Sequence, residues 1–93
     1  MPDRHFDNLG AEARALLERL KTERDQLEVR MHLAKAELRD EWTGLETRWR
    51  DIEGRARAAA TAADAARPAV VTAVKQLGDE LAEAYRRVRK AME

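Results

Sequence analysis

Ninety-three residues allow one small domain. Charged residues make up 39% of the chain and aromatics 4%, and eighteen basic side chains cancel eighteen acidic ones; that balance suits a long-helix or coiled-coil protein, not a nucleic-acid binder with a basic face. The absence of cysteine rules out a disulfide framework and a thiolate metal site, and no run approaches the ~18–20 apolar residues that cross a bilayer. Charge also cancels locally, with ten basic and eleven acidic groups in residues 1–50 and eight and seven in residues 51–93. Mean hydropathy is low, at −0.70, but zero net charge and periodic apolar residues argue for ordered helix over disorder.

Residues 1–7 are expected to be a flexible lead-in without the apolar core of a signal peptide. Asp7 or Asn8 is placed to cap the first helix, its side-chain oxygen accepting from free first-turn amides. From there the apolar residues keep a three-four spacing: Leu9, Ala13, Leu16, Leu20, Leu27, Met31, Ala34, Leu38, Trp42, Leu45, Trp49, Ile52, Ala56, Ala59, Ala63 and Ala66. This is one stripe along one helix of about residues 8–66, interrupted by no proline and by glycine only at Gly10, Gly44 and Gly54. Such a helix would be about 85 Å long at ~1.5 Å per residue, a rod that one chain of this size cannot cover. Met31, Leu38, Leu45 and Ile52 keep a seven-residue spacing, and Trp42, Trp49, Ala56 and Ala63 keep another on the adjacent flank. The stripe therefore makes a four-four step near Leu38–Trp42, a stutter where a change of packing partner is expected.

Residues 56–66 are a low-complexity alanine stretch of high helix propensity, not a flexible linker. Pro68 breaks it and suits the first turn of a second helix, running to about residue 91. Val70, Val74, Leu77, Leu81, Ala84 or Tyr85, Val88 and Ala91 or Met92 continue the stripe there. Arg86, Arg87, Arg89 and Lys90 complement the helix dipole in its last turns. The fold class expected is all-α: a long-helix hairpin in a single domain of residues 1–93, associating as an antiparallel coiled-coil or four-helix-bundle oligomer. Two alternatives remain open, a single long helix kinked at Pro68 and a three-helix arrangement broken near Gly44 or Gly54.

No constellation carries catalytic chemistry. Glu28 and His32 are four apart but lack a third ligand, and no Glu-x-x-His pairs of the di-iron bundle type occur. The chain has no serine and no cysteine, and Thr22, Thr43, Thr47, Thr61 and Thr72 have no histidine beside them. Glycine-rich phosphate loops are absent. Trp42 and Trp49, seven apart, suit the anchors of a helix interface, with Tyr85 a neighbour across the hairpin. Glu46/Arg50, Asp51/Arg55, Glu53/Arg57 and Glu83/Arg87 are acid-before-base pairs that support a helix by a few tenths of a kcal/mol each. No enzyme activity, cofactor or metal is expected.

The stretch from Val29 to Trp42, with Val29, His32, Leu33 and Glu37 in a V-x-x-H-L-x-x-x-E pattern, is followed by Leu45-Glu46-Thr47-Arg48-Trp49. Together with Leu81-Ala82-Glu83-Ala84-Tyr85-Arg86-Arg87-Val88-Arg89-Lys90-Ala91, it resembles a group of short bacterial coiled-coil proteins catalogued as stress-response proteins of a cyanobacterial type. The resemblance covers about Leu27–Ile52 and Gly78–Met92; Pro68 and the alanine stretch depart from it. It implies a helical protein active in a stress response and names no activity.

The expected function is therefore that of a non-enzymatic, self-associating, cytoplasmic helical protein acting through protein contacts. Its expected interface is Leu20, Leu27, Met31, Leu38, Trp42, Leu45, Trp49 and Ile52 with Val74, Leu77, Leu81, Tyr85 and Val88. The partner is a second copy in a dimer or tetramer, or another helical protein, and not nucleic acid. Rival readings are a peripheral lipid-binding helix protein that opens on a membrane surface, which is not favoured, and an adaptor that borrows a partner's helix.

Overall fold

The computed structural model describes residues 10–93, and every regular element among them is helical. Helix α1 spans Ala11–Arg30, a 3-10 turn covers Met31–Leu33, helix α2 spans Ala36–Thr61 and helix α3 spans Arg67–Ala91. The proposed caps Asp7 and Asn8, the lead-in and Leu9 lie outside the described residues.

The single helix expected over residues 8–66 is two helices. Ala34 (φ −81°, ψ 156°) and Lys35 (φ −65°, ψ 155°) are extended and turn the chain back on itself. The break falls neither at Gly44 nor at Gly54, both of which sit inside α2. It lies a few residues before the stutter near Leu38, where the packing partner was expected to change. Its cause is tertiary: a straight helix would leave its stripe in water, whereas the reversal buries it at roughly 25 cal/mol per Å² of apolar surface.

At Pro68 the chain reverses as the hairpin requires, and no kinked continuous helix forms. Pro68 occupies the first turn of α3, where its missing amide costs no hydrogen bond. The turn contains no glycine, and Arg67 takes over the work of a glycine cap. Its guanidinium donates to the Ala59 and Ala62 carbonyls at 3.2 and 3.1 Å, and it pairs with Asp64 at 3.0 Å. Two carbonyls at the end of α2, where helical partners run out, thereby gain one. Ala63 and Ala66, assigned to the stripe by spacing, are exposed in this turn.

The result is an up-down-up bundle in which α3 packs against both α1 and α2. Glu12 pairs with Lys75 and Gln26 accepts from Arg89, so α1 and α3 run parallel. Arg24 meets Glu46 and Trp42 meets Tyr85, so α2 is antiparallel to both. The Cα trace measures 45 × 24 × 16 Å, about half the length of the expected rod. Its core runs the full length of the bundle: Ala13, Leu16, Leu17, Leu20, Leu27 and Met31; Trp42, Leu45, Trp49, Ile52, Ala56 and Ala59; Val74, Leu81, Ala84, Tyr85 and Val88. Gly78 is buried where α1 crosses α3, and a Cβ there would lie 2.9 Å from Leu16 Cδ2 and 3.3 Å from Leu20 Cδ1. Absence of a side chain at that point sets how closely the two helices approach.

Candidate interaction surface

The side chains nominated as an interface form the interior of one chain. Leu20, Leu27, Met31, Trp42, Leu45, Trp49, Ile52, Val74, Leu81, Tyr85 and Val88 are buried, and Leu38 and Leu77 are half-buried against them. The spacing identified the packing residues, while the surface they meet belongs to the same molecule. The premise that one chain cannot cover its own stripe is therefore corrected.

Spacing missed Leu17, which is fully buried. Leu16, Leu17 and Leu20 together widen the stripe beyond a coiled-coil seam to the breadth that a bundle helix buries. That pair of adjacent leucines was the available signal. Ala84 and Tyr85, given as alternatives, are both buried.

One polar contact ties α1 to α2. The Arg24 guanidinium makes a two-pronged contact with the Glu46 carboxylate, Nε to Oε1 and Nη2 to Oε2, both at 2.7 Å. The two side chains are only 22% and 15% exposed, so the pair is screened less than a surface ion pair. The hydrogen bonds to Glu46, despite some burial, push the Arg24 pKa further above its ordinary range. Glu46 is thus engaged across the bundle, and the pair with Arg50 expected from their spacing does not form among the described residues. Asp51–Arg55 and Glu53–Arg57 form at 3.1 and 3.7 Å as their spacing indicates, whereas Glu83 pairs with Arg86 at 3.0 Å and not with Arg87.

Beside this pair, the Tyr85 ring lies 5.6 Å from the Trp42 ring, tilted by 33°. Its hydroxyl is buried and has no hydrogen-bond partner among the described residues. Burial, and secondarily the Glu46 carboxylate, raise the Tyr85 phenol well above its ordinary pKa. Ionisation there is unfavourable, which suits a core ring and not an acid–base group.

The five threonine hydroxyls are turned to backbone carbonyls: Thr22 to Glu18, Thr43 to Arg39, Thr47 to Thr43, Thr61 to Ala58 and Thr72 to Pro68. His32 is exposed within the α1–α2 turn. Among the described residues no group of three His, Cys, Asp or Glu could hold a metal, and no helix is long and apolar enough to cross a membrane.

Among the described residues, the large apolar side chains left in water lie toward one end of the bundle. They are Val29 and Leu33, at 72% and 94% exposure. Beside Leu33 a groove of about 610 Å³ opens between the α1–α2 turn and the end of α3, with Leu33, Leu38 and Met92 as its large apolar walls. Arg30, Lys35, Glu37 and Glu41 also line it, two charges of each sign.

Comparison with known protein families, curated proteins and solved structures found no match to this chain.

Proposed function

We propose that this chain is a non-enzymatic helical protein that acts by self-association, through the turn end of its bundle. The observation that carries the reading is the exposure of Leu33 on the wall of the Leu38–Met92 groove, with Val29 exposed four residues before it. Soluble proteins seldom leave a cluster of large apolar side chains in water unless it meets a partner. Two positive and two negative charges around the groove suit a self-complementary contact, in which the bases of one copy face the acids of the other. The resemblance of Leu27–Ile52 and Gly78–Met92 to bacterial stress-response coiled-coil proteins supports a cytoplasmic stress-response setting for that association, and the lack of cysteine is in keeping with a reducing compartment.

Sedimentation of the chain beside its Leu33→Asp and Val29→Asp variants tests the proposal. Both positions are exposed, so the variants should keep the wild-type helix content while their association weakens at least tenfold. Wild-type chain that stays monomeric at millimolar concentration, or variants that associate as tightly as wild type, would refute it.

A further inference from the structure

The α1–α2 turn differs from an ordinary turn in what it is made of. Met31-His32-Leu33-Ala34-Lys35 contains no glycine, proline, asparagine, aspartate or serine, the residues that hold turns in place. Alanine, leucine, methionine and lysine are instead strong helix formers. At the start of α2 the N-cap is Lys35, with no side-chain hydrogen bond to the first-turn amides. A lysine cannot accept from those amides, and its charge opposes the positive end of the helix dipole. The apolar stripe also passes through the bend in helical phase, as Leu27, Met31, Ala34, Leu38 and Trp42. Local sequence favours continuous helix here, and only packing of α1 on its own α3 and α2 holds the bend.

That packing does not require α1 to come from the same chain. We propose that the chain opens at Met31–Lys35 into one helix from Ala11 to Thr61, and that two open copies exchange α1 to form a domain-swapped dimer. The occupant of each vacated α1 site is α1 of a second copy, and the contacts it makes are those already present. Leu16 and Leu20 would lie over Gly78, Glu12 would pair with Lys75, Gln26 with Arg89 and Arg24 with Glu46, now between copies. Exchange of an identical element is a low-cost route to a dimer because the old interface is reused, and short hinges under strain invite it. Val29 and Leu33, four apart, share a face of the continuous helix and lie where the two hinges cross. Their exposure in the closed chain is thereby given a use. This inference rests on the self-association reading and routes it through exchange of α1 in place of the groove of the closed chain.

Lys35 offers a selective test. Its φ of −65° matches proline, Ala34 before it is extended, and the Lys35 amide donates no backbone hydrogen bond among the described residues. Lys35→Pro therefore fits the bent chain, but inside a continuous helix it is disfavoured by roughly a hundredfold per copy. By light scattering over a concentration series, the wild-type chain and a Lys35→Ala control should dimerise, while Lys35→Pro remains monomeric with its helix content intact. Lys35→Pro dimerising like wild type would overturn the exchange and leave self-association standing. Wild type that never dimerises would overturn both.

Charge reversal supplies a second test that does not depend on proline being tolerated. Arg24→Glu and Glu46→Arg chains each set like charges across α1 and α2 when closed. When the two chains are mixed, exchange restores an opposite pair at both sites. Native mass spectrometry should show the mixed dimer in several-fold excess over either self-dimer, and a statistical mixture would overturn the proposal.

Discussion

Removing the Tyr85 hydroxyl should stabilise this protein. The Tyr85 ring is 1% exposed and lies 5.6 Å from the Trp42 ring, while its hydroxyl is buried without a hydrogen-bond partner among the described residues. An unsatisfied buried donor costs about 1–3 kcal/mol in desolvation, and Tyr85→Phe removes that cost while keeping the ring. The expected gain is about 1 kcal/mol or more, which raises the midpoint of a domain this size by roughly 4–8 °C per kcal/mol. Urea denaturation followed by circular dichroism measures it without relying on Trp42 fluorescence, which the substitution itself perturbs.

The pH dependence provides an internal check. Burial raises the folded-state pKa of Tyr85 above that of the unfolded chain, so above pH ~10 only the unfolded phenol ionises readily. The unfolded state then binds fewer protons than the folded one, and stability falls as pH rises. Between pH ~10 and the folded pKa, wild type should lose about 1.4 kcal/mol per pH unit relative to Tyr85→Phe. The advantage of the phenylalanine variant should therefore widen in alkali. A destabilised Tyr85→Phe would show that the hydroxyl has a partner, and an alkaline difference that does not widen would show that the folded phenol ionises freely; either result would refute the reasoning.

Six further substitutions test the packing. Trp49→Ala should destabilise by ~3–5 kcal/mol, because the ring is fully inside and leaves a cavity; a thermal midpoint within 2 °C of wild type would contradict its place in the core. Gly44→Ala and Gly54→Ala should each stabilise α2 by about 0.5–1 kcal/mol, since an added Cβ meets nothing within 4 Å. Gly78→Ala should instead destabilise by up to about 2 kcal/mol, because its Cβ would press on Leu16, and denaturation midpoints of the three variants separate the cases. Glu46→Ala should cost ~1–2 kcal/mol through loss of the two-pronged Arg24 contact, whereas Asp51→Ala, which breaks an exposed pair, should cost less than ~0.5 kcal/mol; equal costs in urea titrations would refute that ranking.

The all-α architecture and most of the core were legible because one side chain in three or four must be apolar to bury a helix face, and that rhythm survives from Ala13 to Val88. The reversal at Pro68 was legible from the proline, although its cap was not. Arg67 reaches back eight residues to the Ala59 carbonyl, a contact that spacing along one helix does not reveal. The bend at Met31–Lys35 was hidden for a different reason: its residues prefer helix, and what bends them is the burial of Leu16, Leu17 and Leu20 against a helix some sixty residues away in the chain. The Arg24–Glu46 contact was hidden with it, because only the bend brings residues 22 apart in sequence together. Val29 and Leu33 stand outside the three-four series, in keeping with their exposure, but their place beside a turn was not legible. The groove beside Leu33 therefore emerged only with the fold.

Whether the chain folds back at Met31–Lys35 is best tested by a distance across that turn. The protein has no cysteine, so Asp25→Cys and Thr47→Cys, both at exposed positions, allow a spin-label pair in a chain diluted with unlabelled protein. At low concentration the two labels should lie on the order of 20 Å apart, as on neighbouring helices. A single distance of about 33 Å at every concentration, the length of 22 residues in one straight helix, would contradict the three-helix bundle.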